Sequence, residues 1–473
     1  MSFAIGDLSF WLCLFFIFGI FIASIKFNFI IAFLVIAFGF VLLAFFTKRF
    51  FLFKIFPFLL LASFLGSFYY GAYLSFLDFQ KEGIKYNSFI SVKAVINSEP
   101  NLTEKYLIFT ATAKLGLKKI DVRIFAPPQN DFNYGDLVNV QGTIIKSDKE
   151  YEPPLLFSKN IKLISKNNGF WLREKLIDFK NSIIKNFENF LQKDNAGLLS
   201  GITLGSQASF SPEFKNDMAL SGTTHLVAMS GYNITIIILA VQRIFGGILS
   251  RKKNFFISIS LIMFFIIMTG LQASVIRAGI TGFIALFSRE IGRIFNIRNA
   301  IVFTALLMLL WNPFMITQNI SFQLSFLSLL GIVYLSPVLK DFFKFENSGF
   351  LEWKDSAITT TSAQIAVLPI LIINFGKFSA SAIFANIAVL GVIPITMFFG
   401  FILAVLGFIS YYFAFFCAKL LAVLLSYECF AIKFFANIYI PIPIHFNSMI
   451  IVFFYYAFFC FLIAKFYYKN EKR

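Results

Sequence analysis

The run SGTTHLVAMSGYNITIII, residues 221–238, decides how this chain is read. It stands where a long polar segment gives way to a second block of apolar helices, and it carries His225, one of only two histidines. His225, Ser230 and Asn233 are polar groups on a segment that otherwise reads as membrane-spanning. Polar side chains in hydrocarbon are costly unless they face a partner or a water-filled cavity, which makes the helix a candidate for lining a path. The other reading is a helix start: Ser221, Thr223 and Thr224 cap it, and His225 lies among the headgroups.

Composition sets the class. Hydrophobic residues make up 58% and charged residues 14% of the chain, against about 45–50% and about 25% in an ordinary soluble domain. This is the composition of a polytopic membrane protein. The net charge of +17 falls largely in short loops and follows the positive-inside pattern, so it reports orientation rather than a nucleic-acid surface. Cys13, Cys417, Cys429 and Cys460 all lie in apolar segments, which suggests neither a disulfide framework nor a zinc site. The N-terminus lacks a basic region and a small-residue cleavage site, and reads as a retained first helix.

Apolar runs long enough to cross a bilayer come first at 8–25, 29–46 and 55–76. The basic loop at Lys48, Arg49 and Lys54 places the N-terminus inside and the chain beyond residue 76 outside. Residues 78–167 then change character. Alternating runs at 89–96, 106–113, 120–125, 137–145 and 155–164 read as strands, separated by turn signals such as Tyr134-Gly135-Asp136 and Pro153-Pro154. Short strands in this number suggest an OB-like barrel on the extracytoplasmic side. Phe89, Tyr106, Phe109 and Phe125 are candidates to stack on bases, but the alternation favours a place in the barrel core.

Residues 168–220 read as amphipathic helices at the membrane interface, the last capped by Ser211-Pro212-Glu213. Residues 221–468 form the second membrane block, with runs at 226–245, 256–270, 274–291, 300–316, 321–339, 358–375, 383–409, 413–434 and 449–467. Basic loops follow the first, third and fifth of these, and a basic tail closes the chain at 469–473. With 1–77 as the first block, about twelve spans satisfy both charge and parity, with both termini cytoplasmic.

Inside this block Arg277 is the sharpest residue, because a guanidinium grips phosphate with two parallel hydrogen bonds. Snorkelling to the headgroups is the alternative. Gln323 and Ser325 follow Asn312-Pro313, and Gln323 has hydrogen-bonding positions that need a partner or water. Asn386 is a further polar mark, and Pro394 suggests a broken helix. Glu428 is expected to pair with Lys433. Two histidines cannot build a zinc hydrolase site, no GxxxxGK[ST] loop occurs, and Ser230 lacks the GxSxG setting. No enzyme, metal or cofactor is expected.

Several of these segments are similar to one family. Residues 199–205, LSGITLG, resemble its aLllG segment. His225 to Gly231 resemble its HLxAxSG signature, and residues 321–326, SFQLSF, its gFQLSF run. Arg277, Pro313, Pro369, Asn386 and Pro394 fall where that family has its marked positions, with Gly205 and Gly231 as structural glycines. The chain resembles ComEC-type competence proteins, inner-membrane channels for DNA internalisation. The resemblance implies inward passage of single-stranded DNA along His225, Ser230, Asn233, Arg277, Gln323, Ser325 and Asn386. It implies a DNA receptor and a cytoplasmic ATP-driven helicase or translocase as partners, with self-association into a homo-oligomer. Two departures matter. Asn233 stands where the family often has a second histidine, and asparagine cannot titrate. The chain also ends after its last helix, without the metallo-β-lactamase-like part of many members, so a separate nuclease is expected. A transporter of another polymer or small solute, and a membrane scaffold of a surface assembly, are the competing functions.

Overall fold

The computed structural model describes residues 5–25, 51–103, 105–115, 118–128, 132–149, 152–206, 210–227, 231–343, 353–375, 378–379, 381–438, 441–442 and 449–471. The chain divides into two compact units, Met1–Phe179 with Ile244–Gln272 and Gly279–Asn319, and Lys180–Arg243 with Ala273–Ala278 and Ile320–Arg473.

In the first unit, α1 (Ile5–Ser24) packs along α2 (Phe51–Lys81). Two glycines make this possible. A Cβ on Gly19 would land on the carbonyl of Ser63, and one on Gly66 would land on that of Phe16. Small residues that let helix backbones touch are the usual device where no water drives association. Ser67 then donates from Oγ to the Gly19 carbonyl at 2.9 Å. The expected span at 29–46 lies outside the described residues.

The barrel follows α2. Its strands are β1 (Ser88–Ile96), the two-residue β2 (Asn101–Leu102), β3 (Leu107–Leu115), β4 (Lys118–Ala126), β5 (Leu137–Ile145) and β6 (Leu155–Ser165). The sheet runs β1-β5-β6-β4-β3-β2 and closes through a β1–β3 pairing. All the long pairings are antiparallel except β4 with β6. The five sequence-read strands are therefore all present, within two residues at each end. Alternation sends Ile96, Phe109, Ala111, Ile124, Val138, Val140, Ile144 and Leu156 into a closed core. Of the four aromatics, only Phe109 goes inside. Phe89 is 63% exposed, and Tyr106 and Phe125 form an outer cluster with Phe157, the rings of Phe125 and Phe157 stacked at 4.7 Å. The core preference fails for these three because each has the opposite strand parity to the buried residues. In the turn before β5, Gly135 adopts φ 85° and Asp136 Oδ2 accepts from the Asn133 amide at 2.9 Å.

The second unit contains α4 (Lys193–Leu204), α5 (Pro212–Leu220), a 3-10 turn (Thr224–Leu226) and α6 (Gly231–Phe245). In chain order α3 (Trp171–Phe190) precedes them; α7 (Arg251–Met268), α9 (Ile297–Trp311) and the short α10 (Met315–Gln318), which follow, belong to the first unit, and α3 and α8 (Ala273–Glu290) each have residues in both units. Then come α11 (Ile320–Leu330), a π-turn (Gly331–Leu335), α12 (Ser336–Phe343), α13 (Trp353–Phe375), α14 (Ser381–Leu390), α15 (Ile393–Ile409), α16 (Tyr411–Asn437) and α17 (Met449–Glu471). α5 starts as its sequence predicts: Ser211 is the N-cap, its Oγ accepting from the Phe214 amide at 3.2 Å, with Pro212 in the first turn. α4 departs from the interfacial expectation, since every residue from Asn195 to Leu204 is buried. The run 383–409 is two helices bent by 42°, with Pro394 in the first turn of the second. A proline is tolerated there because the first-turn amides have no helical acceptor.

Among the described residues four helices are long and apolar enough to cross a membrane, or five if the bent pair is one span. Several shorter apolar helices accompany them, including Leu8–Ser24, Asn233–Phe245 and Ile297–Trp311. The count of about twelve spans remains an expectation, because several of its members are helices shorter than a bilayer needs.

Candidate functional site

Two of the polar residues singled out in the sequence, Asn233 and Arg277, meet the start of α6. Gly205 ends α4 in the left-handed conformation, φ 69°, which a side chain rarely tolerates. Its amide bonds to the Gly201 carbonyl at 3.0 Å, and that of Ser206 bonds to Ser200 at 3.2 Å. The last turn of α4 abuts the turn that carries His225: a Cβ on Gly201 would come within 2.7 Å of Val227. Asn233 closes this contact. It is 3% exposed and donates from Nδ2 to the Ile202 carbonyl at 2.9 Å. In this arrangement Asn233 ties α6 to α4.

Arg277 comes from the first part of α8. Its Nη2 lies 3.2 Å from where a Cβ on Gly231 would be, so the glycine opens the space that the guanidinium occupies. The guanidinium also lies 5.9 Å from the ring of Phe326 on α11, within range of a cation–π attraction. Arg277 thus bridges the Gly231 turn and the helix of the SFQLSF run. Gln323 and Ser325 lie half-buried on that helix. Ser325 offers its carbonyl to Ser328 Oγ at 3.1 Å. Further along α8, Thr281 bonds Thr304 at 3.3 Å within the first unit, and Ser288 bonds the Ile284 carbonyl of its own helix.

The backbone of His225 lies in the 3-10 turn; its side chain and the whole of Ser230 lie outside the described residues. Asn386, on α14, is 1% exposed, and its Oδ1 has no hydrogen-bond partner among the described residues. Pro313 follows Asn312, whose Oδ1 accepts from the Phe314 amide at 3.0 Å. Pro369 lies inside α13.

The sequence reading missed a second polar cluster. Glu428 on α16 is fully buried, and its Oε1 accepts from Thr396 Oγ1 on α15 at 2.5 Å. Its Oε2 has no hydrogen-bond partner among the described residues. The expected Glu428–Lys433 pair does not form; Lys433 reaches Asp194 at 3.6 Å instead. Residues five apart lie about 140° apart around a helix, so the two side chains leave α16 in different directions. Nearby, Asn195 donates to Ser426 at 3.3 Å and accepts from Cys429 at 3.4 Å, which holds α4 against α16. Among the described residues no group of His, Cys, Asp and Glu could hold a metal ion.

No solved structure matches the chain. ComE operon protein 3 of Bacillus subtilis (strain 168) is 25% identical over 220 residues, which is 46% of this chain and 26% of that protein. The chain therefore aligns with about a quarter of that relative's length. The competence protein family matches residues 202–468, which takes in the turn at Gly205, the Gly231–Arg277–Phe326 contact and the Glu428 cluster. That match covers more than half of the 473 residues, and the chain belongs to the competence protein family.

Proposed function

We propose that this protein takes part in natural transformation as the inner-membrane channel through which single-stranded DNA enters the cell. The observation that carries the reading is Arg277, set in the space left by Gly231 and against Phe326, where three of the family's sequence marks converge. A guanidinium held this way matches a phosphate through its planar fork, and lysine does not reproduce that geometry. No catalytic step is assigned to this chain in this reading, and energy for transport is assigned to a separate cytoplasmic helicase or translocase. A DNA receptor and a separate nuclease complete the machinery in this reading. The barrel is read as an extracytoplasmic OB-like domain, which its closed five-stranded order and parallel β4–β6 pair support. The basic loops support a multi-pass topology with both termini in the cytoplasm.

Deletion of the gene tests the reading. Transformation is expected to fall to background while cells still bind labelled DNA at the surface and accumulate none in nuclease-resistant form. Arg277→Ala is expected to lower uptake at least tenfold at unchanged protein level, with Arg277→Lys recovering only part. Undiminished transformation without the gene overturns the reading. Uptake of a labelled small solute by proteoliposomes, indifferent to competing DNA, favours a solute transporter instead.

A further inference from the structure

A proline inside a helix lacks the N–H that would bond to the carbonyl four residues earlier, and its ring crowds that carbonyl. Pro369 stands inside α13, so the carbonyl left without its helical donor is that of Ile365. In a membrane-embedded bundle such a group must be satisfied from elsewhere. Two adjacent tyrosines of α17 reach this point. Tyr455 donates its hydroxyl to the Ile365 carbonyl at 2.7 Å, and Tyr456 donates to the Ala366 carbonyl at 3.1 Å. The opposite neighbour is irregular as well. A Cβ on Gly331, the first residue of the π-turn, would come within 2.6 Å of both the Ser362 carbonyl and the Ala366 side chain. The Ser336 amide closes that turn on the Gly331 carbonyl, one residue wider than an α-turn, just before Pro337. A π-turn and a proline-interrupted helix therefore meet at Ala366, and the tyrosines bond to the same stretch. Single-turn π segments frequently mark functional sites in helices.

We infer that Tyr455, with Tyr456 beside it, forms the latch of a hinge in α13: Tyr455 supplies from α17 the hydrogen bond that Pro369 removes and Tyr456 adds one to the next carbonyl, so α17 controls how freely α13 flexes at Ile365–Ala366. Tyr455 is the principal donor because its partner is the carbonyl that the proline deprives. Both tyrosines are positioning residues; the inference assigns them no contact with a transported molecule. It does not depend on what the protein transports.

The test is a double-mutant cycle on the purified, detergent-solubilised full chain, read as thermal unfolding. Tyr455→Phe removes the hydroxyl and keeps the ring. It is expected to lower the melting temperature by about 2–4 °C when residue 369 is proline. Pro369→Ala restores the missing N–H, and in that background the same tyrosine change is expected to cost less than half as much. If Pro369→Ala fails to fold, Pro369→Gly restores the same donor and completes the cycle. Equal losses in both backgrounds would mean the hydroxyl acts without reference to the proline, and would overturn the latch.

Discussion

At the scale of single residues, the polar groups of the second unit are spent largely on holding helices together. Asn233 shows this most clearly. Its sequence position suggests a path-lining role, whereas its side chain is buried on the Ile202 carbonyl. Asn233→Leu removes that donor and leaves a buried acceptor, which costs about 1–3 kcal/mol. Thermal unfolding in detergent is expected to show that loss, and an unchanged transition would place the asparagine elsewhere. Thr396 and Glu428 form a second such contact, with the hydroxyl acting as a donor to a carboxyl that has no other partner among the described residues. Thr396→Val keeps the shape and deletes the donor. The expected loss is about 1–3 kcal/mol, and Thr396→Ser is expected to recover most of it because the hydroxyl returns.

At the scale of elements, the barrel and α4 illustrate opposite relations between pattern and place. The barrel core is a product of strand alternation, and Ile124 is fully buried in it. Ile124→Ala leaves a cavity and is expected to destabilise the barrel by about 2–5 kcal/mol. Protease cleavage within 78–167 of the full chain is the measurement, with faster cutting expected. Phe157 lies on the outer face against Phe125; Phe157→Ala, which leaves no core cavity, is expected to leave the cleavage rate much closer to that of the parent. α4 has an amphipathic-looking neighbourhood, yet its whole length from Asn195 onward is buried. It reaches that position through polar anchors at Asn195 and a glycine at 201 that admits Val227.

At the scale of the whole molecule, orientation is the property most open to direct measurement. Lys159 lies exposed on β6, and Lys252 lies exposed at the start of α7. With Cys13, Cys417, Cys429 and Cys460 replaced, a single cysteine at each position can be probed in intact cells with a membrane-impermeant maleimide. Labelling at position 159 and protection at 252 until the membrane is opened is the expected result. The reverse pattern would invert the proposed topology, since the basic loop containing Lys252 is the strongest inside signal in that part of the chain.

What the sequence determines by itself is whatever depends on local period and local chemistry. Alternation placed the five long strands of the barrel, though not the two-residue β2, because side chains of a strand change face at each residue. Ser211-Pro212 predicted the start of α5 because a cap needs only its own turn. Pro394 predicted the broken helix for the same local reason. The family motifs were legible too, as short runs of fixed identity. What only the tertiary structure decided is which distant group each polar side chain meets. Asn233 finding Ile202, Arg277 fitting beside Gly231, Glu428 choosing Thr396 over Lys433, and Tyr455 answering Pro369 all join residues far apart in the chain or on different helix faces. A buried polar group must be satisfied, and the sequence states that requirement. Which partner satisfies it depends on how the helices cross, and that is set by the close approaches at glycines such as Gly201, Gly231 and Gly331 rather than by any periodicity along the chain.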